Sequence, residues 1–130
     1  MKQFFLILLF FSSLLAISDI EATKENILKL KVPIIDIRTE REWEATGTIP
    51  FAIKLTFYTD NGSINPSFFE DLKRHHITKK TKFALICRTG HRSRIAVKVL
   101  EHYGFENVIN LKGGMFKLFK SCLKGWRNAK

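Results

Sequence analysis

The sequence predicts a small α/β domain, a central parallel sheet flanked by helices on both faces. Three observations predict it. Ile34 to Ile37 is a short β-branched run, Phe83 to Ile86 is apolar throughout, and Asn107 to Leu111 reads as a further strand. Segments of helical periodicity separate them, and strands alternating with helices at these lengths imply parallel pairing through crossovers. No internal repeat or low-complexity linker interrupts the 130 residues, so one domain is the natural count.

At the amino terminus Lys2 gives a positive start, Phe4 to Ile17 is a run of fourteen uncharged residues, and Ala16-Ile17-Ser18 has the small-residue spacing a signal peptidase reads. Residues 1–18 are expected to be a secretory signal, cleaved after Ser18, and the protein exported, to a periplasm or its equivalent. Cleavage at Ala22 instead is expected to change little. The rivals are a retained membrane anchor and a buried helix, but the run falls short of the roughly 20 residues that span a bilayer.

Thr23 is placed to cap a short amphipathic helix with Ile27, Leu28 and Leu30 on its apolar side, and Lys31-Val32-Pro33 ends it. The run from Ile34 reads as a strand with little exposed face. Thr39 then caps one or two helical turns through Trp43, and Thr46-Gly47 breaks them before a short strand around Ala52 to Leu55. Asp60-Asn61-Gly62 marks a turn. Asn65 is read as the cap of the next helix, with Pro66 at its first position and Phe68, Phe69 and Leu72 as its apolar face.

Phe83 to Ile86 is apolar throughout, as expected of a central strand covered on both faces. A helix is expected from about Ser93 to Tyr103, with Ile95, Ala96, Val99, Leu100 and Tyr103 on one side and Gly104 as its stop. After the strand at Asn107 to Leu111, Gly113-Gly114 turns the chain into a last helix, Met115 to Leu123.

The charge is strongly basic. Residues 1–18 hold one Lys and no acid, so the remainder carries 21 basic and 12 acidic residues, a formal +9. A summed positive field concentrates anions of any kind. For an exported chain this favours an anionic small substrate or a membrane surface over nucleic acid, and scattered lysines also keep a domain soluble.

The stretch that carries chemistry is Cys87-Arg88-Thr89-Gly90-His91-Arg92-Ser93, between a buried strand and a helix. Ligands of open α/β sheets bind just beyond the carboxyl ends of strands, which is where this loop lies. Successive backbone N–H groups can curl into a nest there, the following helix points its positive end at it, and Arg88, Arg92 and Arg94 add charge. All three favour an activated thiolate and an anionic substrate at one spot.

This loop resembles the active-site loop of the rhodanese family. Ile34-Ile35-Asp36-Ile37-Arg38 followed by Glu42-Trp43 resembles that family's first signature, and Gly47-Thr48-Ile49-Pro50-Phe51-Ala52 its second. Gly104-Phe105-Glu106-Asn107-Val108 and Leu111-Lys112-Gly113-Gly114 resemble the ending of such a domain, so the resemblance runs over about residues 24–126. Thr48, Phe51 and Leu118 stand where many members have His, Gly and Trp.

The resemblance implies that Cys87 takes the outer sulfur of a donor such as thiosulfate as a persulfide and passes it to cyanide or a thiol. It implies that the amides of residues 88–92 (Arg88, Thr89, Gly90, His91 and Arg92) hold that persulfide, and that Ser93 belongs with them to the substrate-binding loop. Arg88 and Arg92 are assigned to attract the anionic donor, and Asp36 and Arg38 to support the cysteine loop. No cofactor and no metal is called for. The partners expected are a small sulfur-containing anion, a thiol or cyanide acceptor, and a partner protein as a further acceptor. Membrane contact follows only if the amino-terminal segment is retained.

The phosphatase branch of this fold places five residues between its cysteine and arginine, whereas four separate Cys87 from Arg92. The shorter loop resembles the sulfurtransferase branch. A non-catalytic module binding an anion or a partner protein is the rival from another class. His75-His76 reads as a solvated helix end rather than a metal site, and His91 as a cover or hydrogen-bond donor of the loop. Cys122, among Leu118, Phe119 and Leu123, reads as a buried small hydrophobe, free of any disulfide with Cys87.

Overall fold

Five strands make one sheet: Ser18–Glu21 (β1), Ile34–Asp36 (β2), Ile53–Lys54 (β3), Phe83–Ile86 (β4) and Val108–Lys112 (β5). Their spatial order is β1-β5-β4-β2-β3 and every pairing is parallel. The helices between and after them are Lys24–Leu30 (α1), Glu40–Thr46 (α2), Phe68–Arg74 (α3), His91–His102 (α4) and Gly114–Arg127 (α5). This computed structural model describes residues 18–127, with side-chain surroundings through Cys122.

Successive strand residues face opposite sides of the sheet, so each strand feeds two cores. Ile35 and Leu85 join Phe57, Phe68, Leu72, Ala96 and Leu100 on the face covered by α3 and α4. Ile34, Ala84 and Ile86 join Ile27, Ile109, Leu111, Met115 and Leu118 on the face covered by α1 and α5. Strands buried on both faces require this double cover, which is why β4 reads apolar at every position.

Local signals act where expected at two helices. Thr23 Oγ1 accepts from Asn26 N at 3.2 Å to cap α1, and Lys31, at φ 48°, ends it. Thr39 Oγ1 accepts from Glu42 N at 3.4 Å at the start of α2.

Other expectations are corrected. α3 starts at Phe68 with Ser67 as its cap, because Asn65 Oδ1 is occupied in a turn, accepting from Ser67 N at 3.2 Å. α4 starts two residues before Ser93, since Gly90, at φ 95°, turns the chain tightly enough for His91 and Arg92 to enter its first turn. The buried stripe of α4 is Ser93, Ala96, Val97 and Leu100, while Tyr103 is largely exposed. Leu28, expected on the apolar side of α1, is 58% exposed. Cys122 is exposed rather than buried: on α5 it is Met115 and Leu118 that face the core.

The strand β1 was not expected. Its four residues, Ser18-Asp19-Ile20-Glu21, are mostly polar because it is an edge strand with little buried surface, paired with β5 from Ser18 beside Ile109 to Glu21 beside Lys112. A side-chain ion pair between Glu21 and Lys117 ties it to α5. Cleavage at Ala22 therefore would not be neutral, because it would remove the whole strand, whereas a cut after Ser18 removes one residue of it. The rest of the expected signal, residues 1–17, lies outside the described residues.

Candidate active site

Cys87 follows the last residue of β4, and its side chain is 1% exposed. Its Sγ receives Gly90 N–H at 3.1 Å and Ser93 N–H at 3.4 Å, so the loop wraps back on the sulfur that begins it. Gly90 makes the wrap possible. Its left-handed backbone suits glycine, and a Cβ there would stand 2.9 Å from Gly113 N. α4, twelve residues long, starts immediately afterwards and directs its N-terminal end at the same place.

The beginning of α5 closes the loop from the other side. Met115 N donates to Cys87 O at 2.8 Å and Phe116 N to Arg88 O at 3.0 Å. Gly114 permits this approach: a Cβ there would clash with Cys87 O and lie 2.6 Å from Arg88 O.

On the β5 side the sulfur meets neutral groups first, in a hydrogen-bond chain that ends on a carboxylate. Ser93 Oγ lies 3.4 Å from Sγ and donates to Asn110 Oδ1 at 2.6 Å, while Asn110 Nδ2 donates to Asp19 Oδ1 at 3.0 Å. A hydroxyl has one proton, and the short contact to Asn110 takes it, so Ser93 Oγ has no proton left for the sulfur. Neither Asn110 nor Asp19 was singled out from the sequence. Asn110 sits mid-strand in an apolar run, which is the one signal that could have flagged it, since a buried amide needs partners.

On the α2 side the groups are charged. Arg92 forms a two-bond ion pair with Glu42, Nη1 to Oε1 at 2.6 Å and Nη2 to Oε2 at 2.8 Å. The bond from Arg92 holds the Glu42 carboxyl below the ordinary carboxylate range against the opposing effect of burial, and Arg92 is raised in turn, chiefly by Glu42. Arg92 is therefore not a free cation waiting for an anion; it pins the first turn of α4 to α2.

Asp36 and Arg38 are almost wholly buried and bonded to each other, Nε to Oδ1 at 3.0 Å and Nη2 to Oδ2 at 2.8 Å. They do not brace the cysteine loop directly. Arg38 also donates to Thr46 Oγ1 at 2.8 Å and to Gly47 O at 2.7 Å, and Thr48 Oγ1 donates to Asp36 Oδ2 at 2.6 Å. The pair thus shapes the link from α2 to β3, and Thr48, which departs from the commoner histidine, is one of its partners.

Arg88, Thr89 and His91 are exposed at the rim. Of the sequence-assigned residues, the structure gathers Cys87, Gly90 and Ser93 at the sulfur, leaves Arg88 at the mouth, and turns Arg92 away into a pair. Arg94 is exposed on the flank bearing Asp19 and Asn110.

The family model of the rhodanese-like domain matches residues 19–121. The chain belongs to the rhodanese-like family. A sulfurtransferase of Allochromatium vinosum is 33% identical over 84 residues, 65% of this chain and 68% of that protein. The tRNA uridine(34) hydroxylase of Acaryochloris marina is 34% identical over 84 residues, 65% of this chain but only 26% of that longer protein. Among solved structures, the rhodanese-like domain protein from Staphylococcus aureus superposes with a TM-score of 0.60 at 26% identity, covering 78% of this chain and 90% of that one. The parallel five-stranded sheet with its helices on both faces is the rhodanese-like fold, and the family is one of sulfurtransferases.

Proposed function

We propose that this chain transfers sulfane sulfur through a persulfide on Cys87. The observation that carries the reading is the buried Sγ at the head of α4, receiving Gly90 and Ser93 N–H groups. Donors aimed at a sulfur favour its anionic state and equally suit the anionic persulfide.

With thiosulfate as donor, the Cys87 thiolate attacks the outer sulfur, the S–S bond breaks, and sulfite leaves with its electron pair. An acceptor, cyanide or a thiol, then takes the outer sulfur and returns the thiolate. Arg88, at the loop's rim, draws the anion in; Arg92 and Glu42 hold the loop's end; no cofactor enters. A protein carrying an acceptor thiol is a further partner class. Export is part of the proposal and is supported by Lys2 and the apolar run Phe4 to Ile17.

Intact-mass spectrometry before and after thiosulfate, with cyanide added last, tests it. The expected result is a gain of one sulfur, removed by cyanide with release of thiocyanate and absent in Cys87→Ser. No adduct from any sulfane donor would leave the anion- or partner-binding module as the better account. Four residues between Cys87 and Arg92 support sulfur over phosphorus chemistry, so vanadate-sensitive hydrolysis of an aryl phosphate is expected to be absent.

A further inference from the structure

Six large apolar side chains stand exposed among the described residues, and three of them, Leu28, Phe51 and Phe119, rim a single groove of about 370 Å3. It lies where α1, the link from α2 to β3 and α5 meet. The three rim residues are 58%, 57% and 40% exposed, while Ile27, Ile49 and Leu118 form a buried floor. The hydroxyl in its wall, Thr48 Oγ1, is committed to Asp36 Oδ2, so the groove lacks the convergent polar groups that fix a small ligand. Its walls are two helices and a loop, which offer no strand edge to a peptide.

The uncompensated charge around it is positive. Lys24 lines the groove, and Lys120 holds its ammonium 4.5 Å from the centre of the Phe116 ring. Neither lysine makes a salt bridge among the described residues. Glu25 of α1 and Glu21 of β1 are engaged by Lys29 and Lys117. α5 itself carries Lys117, Lys120, Lys124 and Arg127 and no acid.

A body that covers this face must supply apolar contact together with negative charge in no fixed arrangement. A bilayer containing anionic lipid supplies both: lysines lay their stems along apolar surface and reach the headgroups, while Phe and Leu enter the acyl boundary. We infer that the face between α1 and α5 seats this domain on an anionic membrane surface, with Leu28, Phe51 and Phe119 in the interface and Lys24 and Lys120 among the headgroups. No helix among the described residues is long and apolar enough to cross a membrane, so the contact is peripheral. It needs no retained amino-terminal segment, and it is independent of the sulfur chemistry.

Cys122 provides the reporter. It is exposed, lines the same groove, and becomes the one thiol of the chain in Cys87→Ser. Full-length Cys87→Ser is treated with a neutral polyethylene-glycol maleimide, too large to enter a bilayer, alone and with vesicles of phosphatidylcholine containing about one-third phosphatidylglycerol. The labelling rate is expected to be at least about fivefold lower with those vesicles and to change by less than about twofold with phosphatidylcholine alone. Leu28→Asp with Phe51→Asp, and separately Lys24→Glu with Lys120→Glu, should each return the rate to within about twofold of the vesicle-free value. The lysine pair alters only exposed side chains, so it reads the charge without disturbing the apolar rim or the fold.

Labelling at the vesicle-free rate with both lipids would overturn the inference, and flotation of the chain with vesicles in that case would assign the contact to the amino-terminal segment. Equal protection by phosphatidylcholine alone, or protection that survives the lysine changes, would overturn the choice of an anionic surface. Protection that grows with protein concentration in the absence of lipid would assign the groove to a second copy of the chain and overturn the inference as well.

Discussion

The two flanks of the cysteine loop are held by different physics. Toward β2 and α2 lie two ion pairs, Asp36–Arg38 with side chains 0% and 2% exposed, and Glu42–Arg92 at 26% and 27%. Toward β5 the buried groups are neutral, Ser93 and Asn110 joined at 2.6 Å, with the Asp19 carboxylate one step farther from the sulfur. The charged flank sets distances between segments far apart in sequence. The neutral flank touches the sulfur, where a buried carboxylate would repel any anion brought to it. Structural charge is thus kept one shell away from the thiol, and contact with it is left to backbone amides and a hydroxyl.

Three substitutions probe this division, from the largest effect to the smallest. Asp36→Ala removes the acid from a buried Arg38 and is expected to cost about 3–5 kcal/mol in urea unfolding, because an uncompensated charge remains inside. A loss below about 1 kcal/mol would mean that water reaches Arg38 and that the buried flank is softer than described.

Asn110→Ala takes away the acceptor of the Ser93 proton and should cost about 1–3 kcal/mol, since Gly90 O at 3.2 Å is a poorer alternative. It should also accelerate alkylation of Cys87 by iodoacetamide at neutral pH, because the freed hydroxyl can donate to the sulfur. Unchanged alkylation would break the link between the neutral chain and the thiol.

Glu42→Gln should cost about 1 kcal/mol or less at neutral pH, the pair being partly exposed and screened. Its signature is in the pH dependence. A carboxyl lowered in the folded state stabilises above its ordinary value, about 4.5, and that contribution is lost as pH falls through the folded value. The gap between wild type and Glu42→Gln should therefore close as pH falls below the ordinary carboxylate value. A gap constant from pH 7 to 3 would show that the carboxylate charge contributes nothing.

These flanks were unevenly legible in the sequence. β2, β4 and β5 announce themselves as apolar runs, and the cysteine loop follows from its residues and its place after β4. Arg92 and Glu42 are 50 residues apart, and Ser93 and Asn110 seventeen. Only the strand order β5-β4-β2 brings these partners around one sulfur. Residue type alone points Arg92 at the substrate, because the carboxylate that claims it lies across the fold. β1 escaped notice for a related reason: an edge strand buries little, so its sequence carries little pattern. Cys122 reads as buried from its neighbours because α5 places apolar residues on its exposed side as well as its buried one.

Gly114 has one more consequence. By letting α5 press against the Cys87 and Arg88 carbonyls, it helps keep Sγ beneath the surface, where a bulky acceptor has little room to descend. A sulfur added to Cys87 would stand about 2 Å farther out, one S–S bond length. The loop would then behave as a recessed socket with a detachable tip, in which the anchored atom stays hidden and only the added one is offered for exchange.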